Sequence, residues 1–259
     1  MFVAYILFLC RFSDKPYIKP YPNIRRKGDV PAEGEDEWSG DRRIPAFART
    51  FDVRPTCKMF LLAKGICMGR DFVEKIEASP IIAAVKNDEE LENCLKSEID
   101  VVFVLYGDVV TIPGIIDRIK DSGRTAMVHL DLVSGLMQKE ISLDFIRCKT
   151  RADVIITTRV NLIHHAKEIG LSTVLRFFIL DSLALSNIAK LTGVNHAAMP
   201  DVIEILPGII VPKIMRKISA MSCVPVIAGG LIKDREDVMN MLNNGAVAIS
   251  TSAQDVWFM

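Results

Sequence analysis

The sequence predicts an α/β protein whose folded part begins near Pro80 and runs to the end of the chain. Three observations lead to this prediction. Short β-branched apolar runs alternate with amphipathic segments of helical period. Eight such pairs follow one another, as in a compact eight-unit barrel. The runs are apolar almost throughout, as expected for parallel strands that are buried on both faces. We therefore predict a (β/α)8 TIM-type barrel with a largely disordered N-terminal extension.

The elements follow in order along the chain. The predicted strands are Ile81–Val85, Val101–Leu105, Ala126–Leu130, Val154–Thr157, Ser172–Phe178, Val202–Leu206, Val224–Ala228 and Ala246–Ser250. The predicted helices are Asp88–Leu95, Ile112–Ile119, Leu143–Cys148, Asn161–Ile169, Leu183–Leu191, Ile210–Ile218, Arg235–Leu242 and a short terminal segment, Ala253–Phe258. Asn87 suits an N-cap, and Gly123, Gly170 and Gly245 follow three of the helices, where a left-handed residue is common.

An open, doubly wound sheet is the alternative architecture. It predicts a G-x-G-x-x-G motif after the first strand, and the sequence has none there. The barrel also predicts where a ligand binds, because the carboxyl ends of its strands form the site in nearly all proteins of this fold. The residues that end each strand are therefore the candidates for function.

The first 67 residues differ from the rest. Residues 11–58 hold 6 of the 12 prolines and show no lasting period of 2 or 3.6. Such a segment buries too little apolar surface to offset the entropy of ordering it. We predict that residues 1–67 form a disordered or non-native extension, since Met68 begins a stretch that resembles a protein start, and that residues 68–259 form the barrel domain.

Composition excludes several classes of function. The formal net charge of the whole chain is zero, and residues 71–259 carry 19 Lys and Arg against 24 Asp and Glu, so their overall field opposes a polyanion. No apolar run has the length of a membrane span. The six cysteines form no C-x-x-C pair and no zinc spacing with histidine. We expect a cytoplasmic protein with reduced thiols, without a metal or cofactor.

The ends of the last two predicted strands suggest an anion site. Gly229 and Gly230 leave the backbone N–H groups open to a phosphate, although a tight turn explains the same pair. Ser250, Thr251 and Ser252 add hydroxyl groups and the start of the terminal helix, whose amides favour an anion. A phosphate site at strands seven and eight is frequent in this fold.

Four further polar residues interrupt or end apolar strands. His129 and Asp131 lie two apart, so we expect their side chains on one face, as a general base with its orienting partner, as hydrogen-bond groups for a polyol, or as a structural pair. Arg176 and Glu204 lie inside apolar strands and need partners, either each other, Asp131 or a polar ligand. No catalytic nucleophile stands out.

Two basic clusters also occur. Lys213, Arg216 and Lys217 share one helix face, and Arg147, Lys149 and Arg151 precede the fourth strand. Such clusters are usually solvated surface, and the sequence shows no aromatic pattern for RNA stacking. Contact with RNA stays open at this point.

Several runs together resemble a known family, the glycerol-3-phosphate-responsive antiterminators. The runs are Val128–Leu132, Ser134–Leu136, Phe178–Leu185, Asp201–Gly208, Pro225–Ile232 and Gly245–Ser252 with Trp257. The resemblance covers about residues 68–259. Arg159 and Leu175 depart from the pattern, because lysine and glutamine respectively are expected there.

The resemblance implies a transcription regulator and not an enzyme. It would bind glycerol 3-phosphate and then act on the leader mRNA of glycerol-utilisation genes. By motif, Gly229, Gly230, Ser250, Thr251 and Ser252 would hold the phosphate, and His129, Asp131, Arg176, Asp181, Glu204 and Gly208 would complete the pocket. The alternative is a phosphosugar-handling barrel enzyme, with His129 or Asp131 as base and Glu204 as acid. A homo-oligomer would join the basic faces into a wider patch.

Overall fold

The predicted barrel is confirmed. A computed structural model describes residues 71–191 and 198–259, and their eight strands form one closed sheet in which each strand pairs in parallel with the next and β8 pairs with β1. The strands are β1 (Ile81–Val85), β2 (Val101–Val104), β3 (Thr125–His129), β4 (Val154–Thr157), β5 (Ser172–Phe178), β6 (Val202–Leu206), β7 (Val226–Gly229) and β8 (Ala248–Thr251). Four of the eight have the predicted bounds, and the others differ by one or two residues at an end.

A helix follows each strand. The helices are α1 (Asp88–Cys94), α2 (Ile112–Asp121), α3 (Glu140–Lys149), α4 (Ile163–Glu168), α5 (Ser182–Lys190), α6 (Pro212–Met221), α7 (Arg235–Leu242) and α8 (Gln254–Trp257). Single 3-10 turns, Leu130–Leu132 and Val160–Leu162, follow β3 and precede α4. The Asn87 side chain accepts a 2.8 Å hydrogen bond from the Glu90 backbone N–H, as its predicted N-cap role requires. Gly123, Gly170 and Gly245 have φ values of +81°, +77° and +104°, so all three end helices in the left-handed conformation.

Apolar side chains fill both faces of the sheet. Because successive side chains alternate across a strand, every second residue points into the barrel. The interior cluster includes Phe103, Met127, Ile156 and Val174, all essentially buried. The remaining strand residues pack outward against the helices in two larger clusters. The sheet is therefore a packed core, and the free space for polar groups lies at its two ends.

A helical segment, residues 71–78, closes the amino-terminal end of the barrel. Its Phe72 and Ile76 are buried and join the interior cluster. Because this segment covers one end of the interior, the opposite, carboxyl end is the candidate position for a ligand. The predictions for residues 1–67 and for a start at Met68 lie outside the described residues. Within the described part, no helix has the length and apolar character needed to cross a bilayer.

Candidate ligand site at the barrel mouth

The barrel interior changes from apolar to polar at its carboxyl end. Near the carboxyl ends of four strands, inward positions are polar: His129 on β3, Arg176 on β5, Glu204 on β6 and Ser250 on β8. They follow the same alternation that places Met127, Val174, Val202 and Ala248 inside. His129, Glu204 and Ser250 are buried, and the Arg176 side chain is 9% exposed. We call these four residues the polar layer.

Three members of the polar layer form one hydrogen-bonded chain. Arg176 and Glu204 are partners in the β5–β6 register, and Arg176 Nε donates to Glu204 Oε2 at 2.6 Å. Ser250 Oγ donates to Glu204 Oε1, also at 2.6 Å. The expected pairing of the arginine with the glutamate is confirmed. Because a buried ion pair is costly to desolvate, it is weak evidence for stability and makes the barrel mouth a candidate ligand site.

Gly229 makes room for this chain. A Cβ atom on Gly229 would lie 2.5 Å from Glu204 Oε1 and closer still to Ser250 Oγ. The prediction explained Gly229 by the approach of a phosphate to its backbone. The structure gives a different physical reason, because the missing side chain leaves the space that the Glu204 carboxylate and the Ser250 hydroxyl occupy.

His129, the fourth member of the polar layer, lies outside the hydrogen-bonded chain of Arg176, Glu204 and Ser250. Its side chain is 3% exposed, and its ring stacks on Phe103 with centroids 6.0 Å apart and an interplanar angle of 12°. Its Nδ1 has no hydrogen-bond partner among the described residues. Burial lowers the pKa of His129 well below its ordinary value, and the Arg176 charge lowers this pKa further. The imidazole is therefore neutral at physiological pH.

Asp131 does not share a strand with His129, and that prediction was wrong. β3 ends at His129, and Asp131 lies in the 3-10 turn that follows. Its carboxylate accepts three hydrogen bonds of 2.8 Å, from Thr157 Oγ1, Thr158 N and Thr158 Oγ1. Asp131 thus ties the end of β3 to the end of β4 and is not the orienting partner of the imidazole.

The chain segments just after β7 and β8 contain backbone amides that donate no hydrogen bond to the described residues. Gly230 has φ +79° and Leu231 has φ +65°, so the chain turns sharply after β7. Within the described residues, the N–H groups of Gly230, Leu231 and Ser252 donate no hydrogen bond. Gly208 N donates to Gly230 O at 2.9 Å, which brings the predicted Gly208 beside this turn. These three amides form the anion-binding candidate.

Thr251 and the terminal helix contribute structure at this edge. Thr251 is buried, and its Oγ1 donates to Ile232 O at 2.7 Å and accepts from Ala253 N at 3.0 Å. The helix α8 spans only four residues, Gln254–Trp257. A helix this short gives little dipole, so the contribution of its amides to anion binding stays a prediction.

Asp181 serves as a helix cap. It is exposed, and its Oδ1 accepts hydrogen bonds from Leu183 N at 2.8 Å and Ala184 N at 3.0 Å. The structure therefore brings together the predicted residues Gly208, Gly229, Gly230, Glu204, Arg176, Ser250 and Thr251, and it gives Asp131 and Asp181 local structural partners.

Phe103 is part of the site and was absent from the prediction. The Arg176 Cζ lies 5.1 Å from the centroid of its ring, on which His129 also stacks. A cation over an aromatic face is attracted by the ring quadrupole. Phe103 joins Arg176 to His129 across the mouth. Its inward position is readable from strand alternation, but its partners on β3 and β5 depend on barrel closure.

No cluster of three or more potential metal ligands occurs within residues 71–191 and 198–259.

The two basic clusters differ in their ion pairing. Arg151 forms ion pairs with Asp117 and Asp121 at 3.3 and 2.8 Å. Lys213, Arg216 and Lys217 are exposed on α6, which carries no acidic residue, and Arg216 donates to the Asn244 side chain.

Fold and site together define a (β/α)8 barrel with a buried ion pair in its mouth. Comparison with known sequences shows the family to which this barrel belongs. Residues 81–257 match the model of the glycerol-3-phosphate responsive antiterminator family, so the chain belongs to that family. It is 39% identical over 182 residues to the uncharacterized protein YgcP of Escherichia coli (strain K12), an alignment that covers 70% of this chain and 93% of that protein.

Solved structures agree with this assignment. The glycerol uptake operon antiterminator regulatory protein from Listeria monocytogenes is 32% identical with a TM-score of 0.64, over 68% of this chain and 94% of that one. A glycerol uptake operon antiterminator-related protein from Thermotoga maritima is 36% identical with a TM-score of 0.60, over 69% and 98%. Deoxyribose phosphate aldolase from Aeropyrum pernix, 14% identical with a TM-score of 0.53 over 75% and 95%, shares the fold alone.

Proposed function

We propose that this protein is a cytoplasmic transcription antiterminator that senses glycerol 3-phosphate and binds the leader mRNA of glycerol-utilisation genes. Membership of the family supports the regulatory class. The observation that most supports the effector is the adjacency of two features at the barrel mouth, the free amides after β7 and β8 and the polar layer inside. Their chemistry matches a small molecule with a phosphate at one end and hydroxyl groups at the other.

The amides of Gly230, Leu231 and Ser252 would take the phosphate. Backbone N–H groups bind phosphate oxygens without a charged side chain, and Gly230 supplies the left-handed conformation that turns them toward the mouth. The polyol would extend toward Arg176 and His129. Two hydrogen bonds would support this arrangement. The Thr251 hydroxyl donates to Ile232 O, and the Gly208 amide donates to Gly230 O.

A binding role fits the polar layer better than a catalytic one. Each oxygen of the Glu204 carboxylate already accepts a hydrogen bond, one from Arg176 and one from Ser250. The phosphosugar enzyme that the sequence left open needs Glu204 as an acid, a role that does not suit a carboxyl group whose two oxygens both serve as acceptors within the chain. Turnover of a phosphosugar would contradict this proposal.

We propose that the exposed face of α6 is the RNA-binding surface. Its Lys213, Arg216 and Lys217 carry three positive charges, and neither lysine forms an ion pair with any described residue. In contrast, Arg151 of the second basic cluster is neutralised by Asp117 and Asp121. Two copies of the chain would double the α6 charge, so we also propose a homo-oligomer.

A thermal-shift titration with glycerol 3-phosphate tests the effector site. We expect the melting temperature to rise in the wild-type protein and not in Gly230→Asp, because the new carboxylate would repel the phosphate. Gly123→Asp is the matched control, since Gly123 has nearly the same φ of +81° against +79° but lies after α2, at the opposite end of the barrel. Equal shifts in the two variants would reject this phosphate position.

A gel shift with leader RNA, with and without glycerol 3-phosphate, tests the regulatory step. We expect the effector to change RNA affinity, and we expect Lys213→Glu with Lys217→Glu to weaken binding and flatten its salt dependence. The matched control is Arg147→Glu with Lys149→Glu on α3. If the control pair weakens binding as much as the α6 pair, the assignment of α6 is wrong. Sizing of the protein in solution tests the oligomer.

A further inference from the structure

The unpartnered nitrogen of His129 is an exception in an otherwise well-satisfied barrel. His129 Nδ1 is the one buried side-chain nitrogen or oxygen without a hydrogen-bond partner in residues 71–191 and 198–259. Leaving such a group unsatisfied costs free energy, because the nitrogen loses its hydrogen bonds to water and gains none in return. Leucine or phenylalanine at this inward position would avoid that cost. Met127, two residues earlier on the same face of β3, is an apolar residue of this kind. The position therefore carries a cost that a ligand would offset.

The surroundings hold His129 in place. Its ring stacks on Phe103, and Arg176 lies over that same ring while its Nε is held by Glu204. With Arg176 so close, a second positive charge on the imidazole is disfavoured, which agrees with its lowered pKa. The imidazole is thus a neutral hydrogen-bonding group beside the charged pair of Arg176 and Glu204.

We propose that His129 Nδ1 is the specificity-determining contact for a hydroxyl group of the bound polyol phosphate. This inference rests on the proposed effector site. A hydroxyl group both donates and accepts, so it pairs with Nδ1 in either tautomer of the neutral ring. A phosphate or carboxylate oxygen only accepts, and it finds better partners in Arg176 and in the amides after β7 and β8. The nitrogen therefore distinguishes polyol phosphates from phosphates that lack the hydroxyl.

Calorimetric titration of the full chain with four ligands tests this assignment. The ligands are glycerol 3-phosphate, 3-hydroxypropyl phosphate, which lacks the secondary hydroxyl, 2-hydroxypropyl phosphate, which lacks the primary one, and inorganic phosphate. For the wild-type protein we expect at least one of the two deoxy ligands to bind roughly tenfold or more weakly than glycerol 3-phosphate, because a site with a buried polar group rejects an analogue that leaves it unpaired.

The informative variants are His129→Phe, which keeps the stacking on Phe103, and His129→Leu, which is smaller and guards against overpacking. Both remove Nδ1. We expect the preference for glycerol 3-phosphate over that deoxy ligand to fall to within about threefold, while the affinity for the deoxy ligand itself stays within about threefold of wild type. A purely structural role for His129 would weaken all ligands together and leave the preference unchanged.

The outcomes separate this inference from the proposed function. If the wild-type protein binds glycerol 3-phosphate but either shows no preference or keeps its preference in both variants, the hydroxyl contact is rejected and the effector site stands. If the wild-type protein binds none of the three organic phosphates, both the effector site and the hydroxyl contact are rejected. Circular dichroism of both variants verifies that they are folded.

Discussion

Replacing Gly229 by alanine adds one methyl group at the centre of the proposed site. Gly229 is buried at the end of β7, and its backbone is not left-handed, so alanine meets no torsional strain there. The new Cβ would lie 2.5 Å from Glu204 Oε1 and 3.2 Å from Glu204 Cδ, and closer to Ser250 Oγ than to either. The Glu204 carboxylate and the Ser250 hydroxyl therefore have to move.

The size of the effect follows from the bonds that this movement breaks. The hydrogen bond from Ser250 to Glu204 involves a charged acceptor, and such bonds contribute about 1.5–3 kcal/mol. Displacing the carboxylate also strains its ion pair with Arg176, whose complete loss would cost about 3–5 kcal/mol. We expect Gly229→Ala to lower the free energy of unfolding by about 2–4 kcal/mol, between these limits.

Urea denaturation followed by circular dichroism measures this change. Gly114→Ala is the control, because Gly114 lies within α2 with open space around its Cβ position, and alanine there should leave stability unchanged or raise it by up to about 1 kcal/mol. Adding Ser250→Ala removes the closest clash and should restore part of the loss in Gly229→Ala. A loss below about 1 kcal/mol in Gly229→Ala would refute the idea that Gly229 exists to accommodate Glu204 and Ser250.

Three further predictions concern groups around the mouth. Asp131→Ala should lower the free energy of unfolding by about 1.5–3 kcal/mol, because three hydrogen bonds to its carboxylate are lost; a neutral result in urea denaturation would show that the β3–β4 tie is dispensable. Asp181→Ala should cost about 1 kcal/mol through the lost N-cap of α5, and Asp181→Asn should recover most of it. His129 has a folded pKa far below its ordinary value near 6.5, so the unfolded chain takes up this proton first and stability falls as pH drops below about 6.5, by up to about 1.4 kcal/mol per pH unit. His129→Leu should flatten the stability profile between pH 6.5 and 5, and an unchanged slope would mean that His129 is protonated in the folded state.

The secondary structure could be predicted from local pattern alone. β6 begins and ends at the predicted residues, because its run is bounded by Asp201 on one side and by Pro207 and Gly208 on the other. Gly123 and Gly170 end their helices in the left-handed conformation, as predicted. This conformation depends on the local backbone alone, so the sequence is enough to predict it. The two-residue spacing of His129 and Asp131 misled the prediction because it assumed that β3 continues past His129, whereas a 3-10 turn begins there.

The sequence by itself determined the barrel and the strand ends at which a ligand would bind, because period, apolar runs and turn residues act over a few neighbouring positions. Only the tertiary structure decided what each strand-end residue does. The pairing of Arg176 with Glu204 needs the β5–β6 register, and the role of Gly229 needs β8 closed onto β7 so that Ser250 faces it. The unpartnered nitrogen of His129 exists only once Phe103 and Arg176 from other strands enclose it. These contacts join residues 21 to 73 positions apart, a separation over which local sequence pattern carries no information about register or closure.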